Sequence, residues 1–273
     1  MKTTRNQKFL AGALAVAAAF AALPAMATEE SDAEVAKKSL NPVANMASVP
    51  LKLDYERKLG PIEQGTKYQL TVQPVIPFSI GTDWTLISRS LIPLVDMKNV
   101  TPTSGTQSGL GDITQQFYFS PKAPTAGGWI WGVGPQALLR TGTDNLSSNK
   151  WGLGPTGVVL KQENGWTYGA LANHMWSVAG SSTANDLSYT YLQPFLSYTT
   201  PRYMTFGINT ESTYNWKTSQ WSVPINATIT QMLKIHGQIL TLQGGARYWA
   251  ESPDGVGPKG WGFRFQVAFL FPK

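Results

Sequence analysis

Two histidines, His174 and His236, and no cysteine are the whole supply of nucleophile-activating imidazoles and thiols in this chain of 273 residues. Ser–His acyl chemistry needs hydroxyl and imidazole within hydrogen-bond reach on one surface. The serine nearest His174 is Ser177, in a segment that alternates like a β-strand. There an offset of three sends two side chains to opposite faces. No cluster of His, Asp and Glu has metal-ligand spacing. Gly152-Leu153-Gly154 lies within a strand-like run with no helix after it, so it is not a phosphate loop; it lets strands bend or pack closely. Neither catalysis nor a cofactor or metal is therefore expected.

What remains are charged residues on strand-like segments. Extending the alternation places Lys52, Asp54, Glu56, Arg89, Asp112, Arg140, Glu211, Arg247 and Arg264 on one face, together with Asn173. Both signs are present. Buried charges need partners, so these residues pair and brace an enclosed interior, or they set the field and width of a pore. Both roles fit a channel. The charge balance of five to four argues against strong ion selectivity.

The elements that position them are best seen at the end of the chain. Trp261, Phe263, Phe265, Val267, Phe269 and Phe271 fall on every second residue, with Gly262, Arg264, Gln266, Ala268 and Leu270 between them. A strand sends successive side chains to opposite faces, so one face is aromatic and the other carries arginine and glutamine. Transmembrane barrels alternate apolar-out and polar-in in this way. The stripe Phe263, Phe265, Val267, Phe269 and Phe271 is also the expected signal for barrel assembly, although Phe271 stands two residues short of the end.

Charged residues are 14% of the chain, against about 25% in soluble domains. That deficit, with ten Trp and ten Tyr, suits a lipid-facing surface with aromatic girdles. Residues 1–27 read as a secretory signal: Lys2, Arg5 and Lys8, an apolar run from Phe9 to Leu23, and Ala25-Met26-Ala27 as the cleavage site. Removing it takes three of the 22 Lys and Arg and none of the 16 Asp and Glu, which lowers the net charge from +6 to +3. So modest a balance argues against a nucleic-acid partner. No later apolar run approaches the roughly 18 residues of a membrane helix.

Residues 28–47 read as a short periplasmic tail, with Ser31-Asp32-Ala33-Glu34 opening two helical turns that end at Asn41-Pro42. From residue 48 to 273 twelve strand-like segments follow, near 48–58, 67–79, 83–96, 109–120, 128–140, 150–162, 165–178, 187–200, 203–215, 220–232, 237–250 and 260–271. Their connections alternate between tight turns and longer loops rich in Gly, Ser, Thr, Asn and Pro. The fold expected is all-β: a transmembrane, antiparallel up-and-down barrel of about twelve strands, with short periplasmic turns and longer outer loops. Prolines at 74, 77, 93, 135, 155, 194 and 224 lie inside these strands and point to local bulges.

An ordered series of motifs adds to this reading. It comprises Asn41-Pro42-Val43-Ala44-Asn45, Ile87-Ser88-Arg89 with Ile92-Pro93, Ser108-Gly109-Leu110-Gly111-Asp112-Ile113, and Trp131-Gly132-Val133-Gly134-Pro135. Lys150-Trp151-Gly152-Leu153-Gly154-Pro155, Asn173-His174, Asn215-Trp216 and Trp221-Ser222-Val223-Pro224 follow. The series resembles the bacterial outer-membrane transporter family of the phenol-degradation meta pathway, some members of which carry the label neuromedin U. The resemblance runs from about Ala36 to the C-terminus. It implies a β-barrel and a role in uptake across the outer membrane, and it brings no catalytic residues. It also gives weight to Arg89 and Asp112, on neighbouring strands, as a bidentate pair inside the lumen, either a structural clamp or a constriction.

The expected function is thus an outer-membrane channel or transporter of a Gram-negative bacterium, for small neutral or mildly hydrophobic solutes, aromatic ones included by resemblance. A structural barrel with a closed lumen is the alternative, and a barrel enzyme stands third. The expected partners are outer-membrane lipids and lipopolysaccharide, periplasmic chaperones, the barrel-assembly machinery and a small-molecule solute.

Overall fold

The computed structural model describes residues 31–101, 104–143 and 145–272; the leader assigned to residues 1–27 lies outside them. Among the described residues one short helix, α1 (Asp32–Ser39), precedes fifteen strands. They are β1 (Ala47–Leu59), β2 (Gly65–Val72), β3 (Val75–Ile80), β4 (Trp84–Lys98), β5 (Thr106–Leu110), β6 (Ile113–Pro121), β7 (Trp129–Leu139) and β8 (Lys150–Glu163). After them come β9 (Trp166–Gly180), β10 (Ser188–Thr199), β11 (Met204–Thr210), β12 (Ser212–Asn215), β13 (Gln220–Ile235), β14 (Gln238–Glu251) and β15 (Gly260–Phe271). Three pairs are single staves interrupted for one or two residues: β2 with β3, β5 with β6, and β11 with β12. The result is a closed antiparallel barrel of twelve staves. The seam is β1 against β15, from Ala47 opposite Phe271 to Tyr55 opposite Phe263. Closure leaves no free sheet edge, as a lipid environment requires.

The interruptions have different causes. Pro74 offers no N–H to the ladder, yet the register is the same on both sides, with Val72 opposite Ile92 and Val75 opposite Arg89. At Gly111-Asp112 one extra residue enters: Leu94 faces Leu110, but Leu91 faces Thr114. That is a β-bulge. The bulges expected at the other internal prolines are mostly absent; Pro93 lies opposite the Gly111-Asp112 bulge and Pro224 adjoins a register shift of its own. A proline whose ring lies at a non-bonding position removes nothing from the ladder.

One end of the barrel carries tight turns, apart from the seven-residue connection 122–128. Asn164-Gly165 and His236-Gly237 have positive φ at both residues (50° and 80°, 49° and 86°), the type I′ geometry that matches strand twist. The opposite end carries the longer loops, the longest of them spanning 140–149. The outer wall is apolar, with Phe263 at 61% exposure, Trp261 at 58% and Phe265 at 50%. Trp129–Tyr168 and Trp166–Tyr198 lie near the tight-turn end, with ring centroids 6.0 and 5.0 Å apart. Tyr55–Phe263 and Tyr248–Trp261 lie near the loop end, at 4.9 and 5.0 Å. These are the two aromatic belts of a membrane-spanning barrel.

Residues 32–46, within the segment expected as a short periplasmic tail, fold into the tight-turn end of the lumen. Ser31 caps α1 by accepting from the Glu34 N–H at 3.4 Å. Past the helix, Asn41 Oδ1 accepts from the Val43 N–H at 3.0 Å, an Asx turn that aims the chain inward. Val35, Ala36, Ala44 and Met46 then pack against inward-facing Met232, Ile239, Ala268 and Leu270. Val43 packs against Ile87, Tyr118, Val158, Leu160 and Leu171. The barrel therefore has an apolar core inside its lumen at one end, which its own N-terminal segment fills. Burial of this kind is worth roughly 25 cal/mol per Å² of apolar surface removed from water.

Candidate functional site: a layered lumen

Inward side chains alternate along each strand, so their sequence positions give their height in the barrel. Moving up β15 from the tight-turn end, Leu270 and Ala268 meet the plug, Gln266 lies above them, and Arg264 lies above that. On β14 the order is Ile239, Thr241, Gln243, then Arg247. On β13 it is Met232, Thr230, Thr228, then Asn226. Three layers result: an apolar plug, a polar cavity and a charged layer.

In the charged layer Arg264 is the hub. Its Nε and Nη2 donate to Asp54 Oδ1 and Oδ2 at 2.7 and 3.0 Å. Its Nη1 and Nη2 donate to Glu211 Oε1 and Oε2 at 2.8 and 2.7 Å. Both contacts are bidentate, the strong geometry for a guanidinium. Arg247 Nη1 donates to Glu211 Oε2 at 3.0 Å, its Nε lies 3.4 Å from Glu56 Oε1, and its guanidinium sits 4.9 Å from the Trp249 ring centroid. Lys52 Nζ reaches Glu211 Oε1 at 3.4 Å, and Lys67 Nζ reaches Glu56 Oε2 at 3.3 Å. Asp54 and Arg264 face each other across the β1–β15 seam, so the network also fastens the closure. Glu211 occupies the one-residue gap between β11 and β12, where its N–H reaches the Pro224 carbonyl at 3.4 Å.

Below lies a cavity of about 260 Å³. Asn41, Pro42 and Met46 of the plug form part of its floor; Gln193, Asn209, Gln243 and Gln266 are among the polar groups of its wall. Val75, Leu171 and Phe195 give it apolar patches, and Arg89 lines it from β4.

The alternation thus brings Lys52, Asp54, Glu56, Glu211, Arg247 and Arg264 together and points Arg89 and Asn173 inward. It does not bring Arg89 to Asp112. Arg89 faces Gln116; Asp112 is four residues further along the neighbouring stave, roughly 13 Å at strand rise. Asp112 instead anchors the 140–149 loop. It accepts from the Gly142 and Ser148 N–H groups at 2.9 and 2.7 Å and from the Ser147 and Ser148 hydroxyls at 2.8 and 2.6 Å. Arg140, too, lies at the rim past the end of β7, where it is exposed and donates to Asn149 Oδ1 at 3.2 Å. Lys67, missed by the sequence census, belongs to the inward set; its alternation with Gln69 and Thr71 was the available signal. Around the cavity and the charged layer the wall charges then read Lys52, Lys67, Arg89, Arg247 and Arg264 against Asp54, Glu56 and Glu211. The lumen is net positive rather than near balance.

His174 sits on the outer wall, its ring 4.1 Å from that of Trp176 and its Nδ1 2.8 Å from Thr190 Oγ1. Ser177 instead donates to Asp186 Oδ1 at 3.2 Å. The two share no surface. Among the described residues no group of His, Asp and Glu is placed to hold a metal ion. Gly154 is required by close packing, because a Cβ there would lie 1.7 Å from the His174 carbonyl oxygen.

Among solved structures, an outer membrane channel from Pseudomonas putida F1 superposes with a TM-score of 0.65 at 15% identity, over 83% of this chain and 96% of that one. The β domain of a Bordetella autotransporter gives a TM-score of 0.44 at 11% identity, over 82% and 99% of the two chains. The outer membrane phospholipase A of Escherichia coli gives 0.44 at 12%, over 83% and 92%. No curated protein matches the sequence. A family model does match, over residues 62–273, which takes in every strand after β1. It is described as "Putative MetA-pathway of phenol degradation", and the chain belongs to that family.

Proposed function

We propose that the protein is an outer-membrane channel for small, mildly hydrophobic solutes, including one-ring aromatic compounds, with its N-terminal segment as a resident plug. The observation that carries this reading is the cavity between the charged layer and the plug. Its mixture of amide side chains with Val75, Leu171 and Phe195 suits a compact solute with both a polar and an apolar end, and its volume is near the lower end for ligand pockets. Family membership and likeness to an outer membrane channel support the same reading. The leader at residues 1–27 would direct export, and the outward stripe Phe263, Phe265, Val267, Phe269 and Phe271 would serve the assembly machinery. Lipids and lipopolysaccharide would then surround the apolar wall.

The test is uptake of benzyl alcohol into vesicles whose outer leaflet is lipopolysaccharide. Faster entry with the folded barrel than without it supports the proposal, and equal rates contradict it. A second reading, a purely structural barrel, draws support from one observation: the ion pairs and the plug both lie across the lumen. Equal rates are its expected result.

A further inference from the structure

Arg89 is the odd member of the interior charges. Lys52, Lys67, Arg247 and Arg264 each have a carboxylate partner, whereas among the described residues Arg89 has none, and its Nε is buried without a hydrogen-bond partner. Its neighbours cannot supply one. Val75, opposite it on β3, is apolar. Gln116, opposite it on β6, is a neutral amide and bonds elsewhere: its Nε2 donates to Gln136 Oε1 at 2.9 Å, and its Oε1 accepts from the Tyr118 hydroxyl at 3.1 Å. A guanidinium carries five donors and stays charged at every accessible pH. Leaving a buried donor unsatisfied is costly. The other interior ion pairs show that this barrel can supply carboxylates where it needs them.

The surroundings of Arg89 state what would complete it. The cavity it lines has no Asp or Glu among its described lining residues. Arg89 therefore brings a positive charge that no described lining residue answers. Pro42, Met46, Val75, Leu171 and Phe195 offer apolar surface beside it. A bare inorganic anion would leave that surface wet. A carboxylate on a small apolar body satisfies both: two oxygens on the guanidinium fork, and a ring or short chain against the apolar patches.

We infer that the mid-lumen cavity is a binding site for small organic monocarboxylates, with Arg89 as the residue that recognises the carboxylate. This rests on reading the lumen as a solute route and gives that route a substrate class. It replaces the expectation of a neutral cargo, because the interior is net positive and one of its cations is unpaired.

The experiment compares benzoate with benzamide, which share a shape and differ in charge. Binding to the full chain, folded in detergent, is followed by isothermal titration at constant ionic strength. Wild type is expected to bind benzoate at least about tenfold more tightly than benzamide, the scale of one charge-assisted bidentate contact. Arg89→Gln is expected to erase that preference, with the larger loss in affinity falling on benzoate. Arg89→Lys is expected to keep part of it. Heat-modifiable migration establishes that each variant is folded. Equal binding of the two probes by wild type would mean that Arg89 is merely hydrated, and benzoate preference surviving in Arg89→Gln would mean that another group reads the charge. Either overturns the inference. Because no transport is measured, a barrel that fails to pass solutes can still pass this test, and a working channel can fail it.

Discussion

Replacing Glu211 by Gln is the sharpest perturbation of the charged layer. The amide keeps the shape of the side chain and removes its charge. Glu211 is the shared partner of Arg264 at 2.7 and 2.8 Å, Arg247 at 3.0 Å and Lys52 at 3.4 Å. These groups are hidden: the side chains of Arg264, Arg247 and Glu211 are 4%, 7% and 12% exposed. After substitution Asp54 and Glu56 face Lys52, Lys67, Arg247 and Arg264, so two positive charges are uncompensated where one was before. Removing one partner of a buried ion pair costs about 3–5 kcal/mol, because the other is left buried and unpaired. Urea unfolding of the barrel in lipid vesicles should show a loss in that range. Arg264→Gln should show a similar loss, and the double variant should lose much less than the sum. A loss below about 1 kcal/mol, the value of a solvated surface pair, would refute the idea of a dry, mutually dependent network.

Phe265→Arg puts a charge on the lipid face in the middle of β15, and the expected cost is about 2–4 kcal/mol by the same unfolding assay. Asp112→Ala should leave the barrel folded but speed proteolysis within residues 140–149, whose anchor it removes. Combined with Arg89→Ala its effect on stability should be additive within about 0.5 kcal/mol, since the two residues do not touch. The hydrogen bonds from Lys150 and Ser177 hold the Asp186 carboxyl below its ordinary value. A depressed carboxylate stabilises above its unfolded pKa and loses that contribution as pH falls through its folded one. The docking of the 181–187 loop should therefore persist at neutral pH and be lost under acid, at a pH below the usual Asp range, as read from amide signals of the loop.

The strands were legible because the lipid-facing wall imposes a strict period of two. Trp261 to Phe271 declares it most plainly, and the same parity put Arg264, Arg247 and Asp54 inside. Parity carries no height, however. Arg89 and Asp112 share a face, but the bulge at Gly111-Asp112 and four residues of separation place them at different levels. Glu211 joins the seam through a contact across the lumen that no local pattern encodes. The plug was also hidden, since its pattern is too short for amphipathic periodicity to reveal a partner. The apolar Val35, Val43 and Met46 in a segment read as a short periplasmic tail were its only trace. Internal prolines misled because a strand can place a proline where no ladder bond is due.

The central claim is that this barrel is a channel whose lumen is closed at one end by its own N-terminal segment. Planar-bilayer recordings of the chain lacking residues 28–46, beside the chain that retains them, test it most directly. The account predicts small or rare conductance steps for the plugged barrel and large, frequent, anion-favouring steps once the plug is gone. Silence from a correctly folded plugless barrel, or identical conductance from the two, would contradict it.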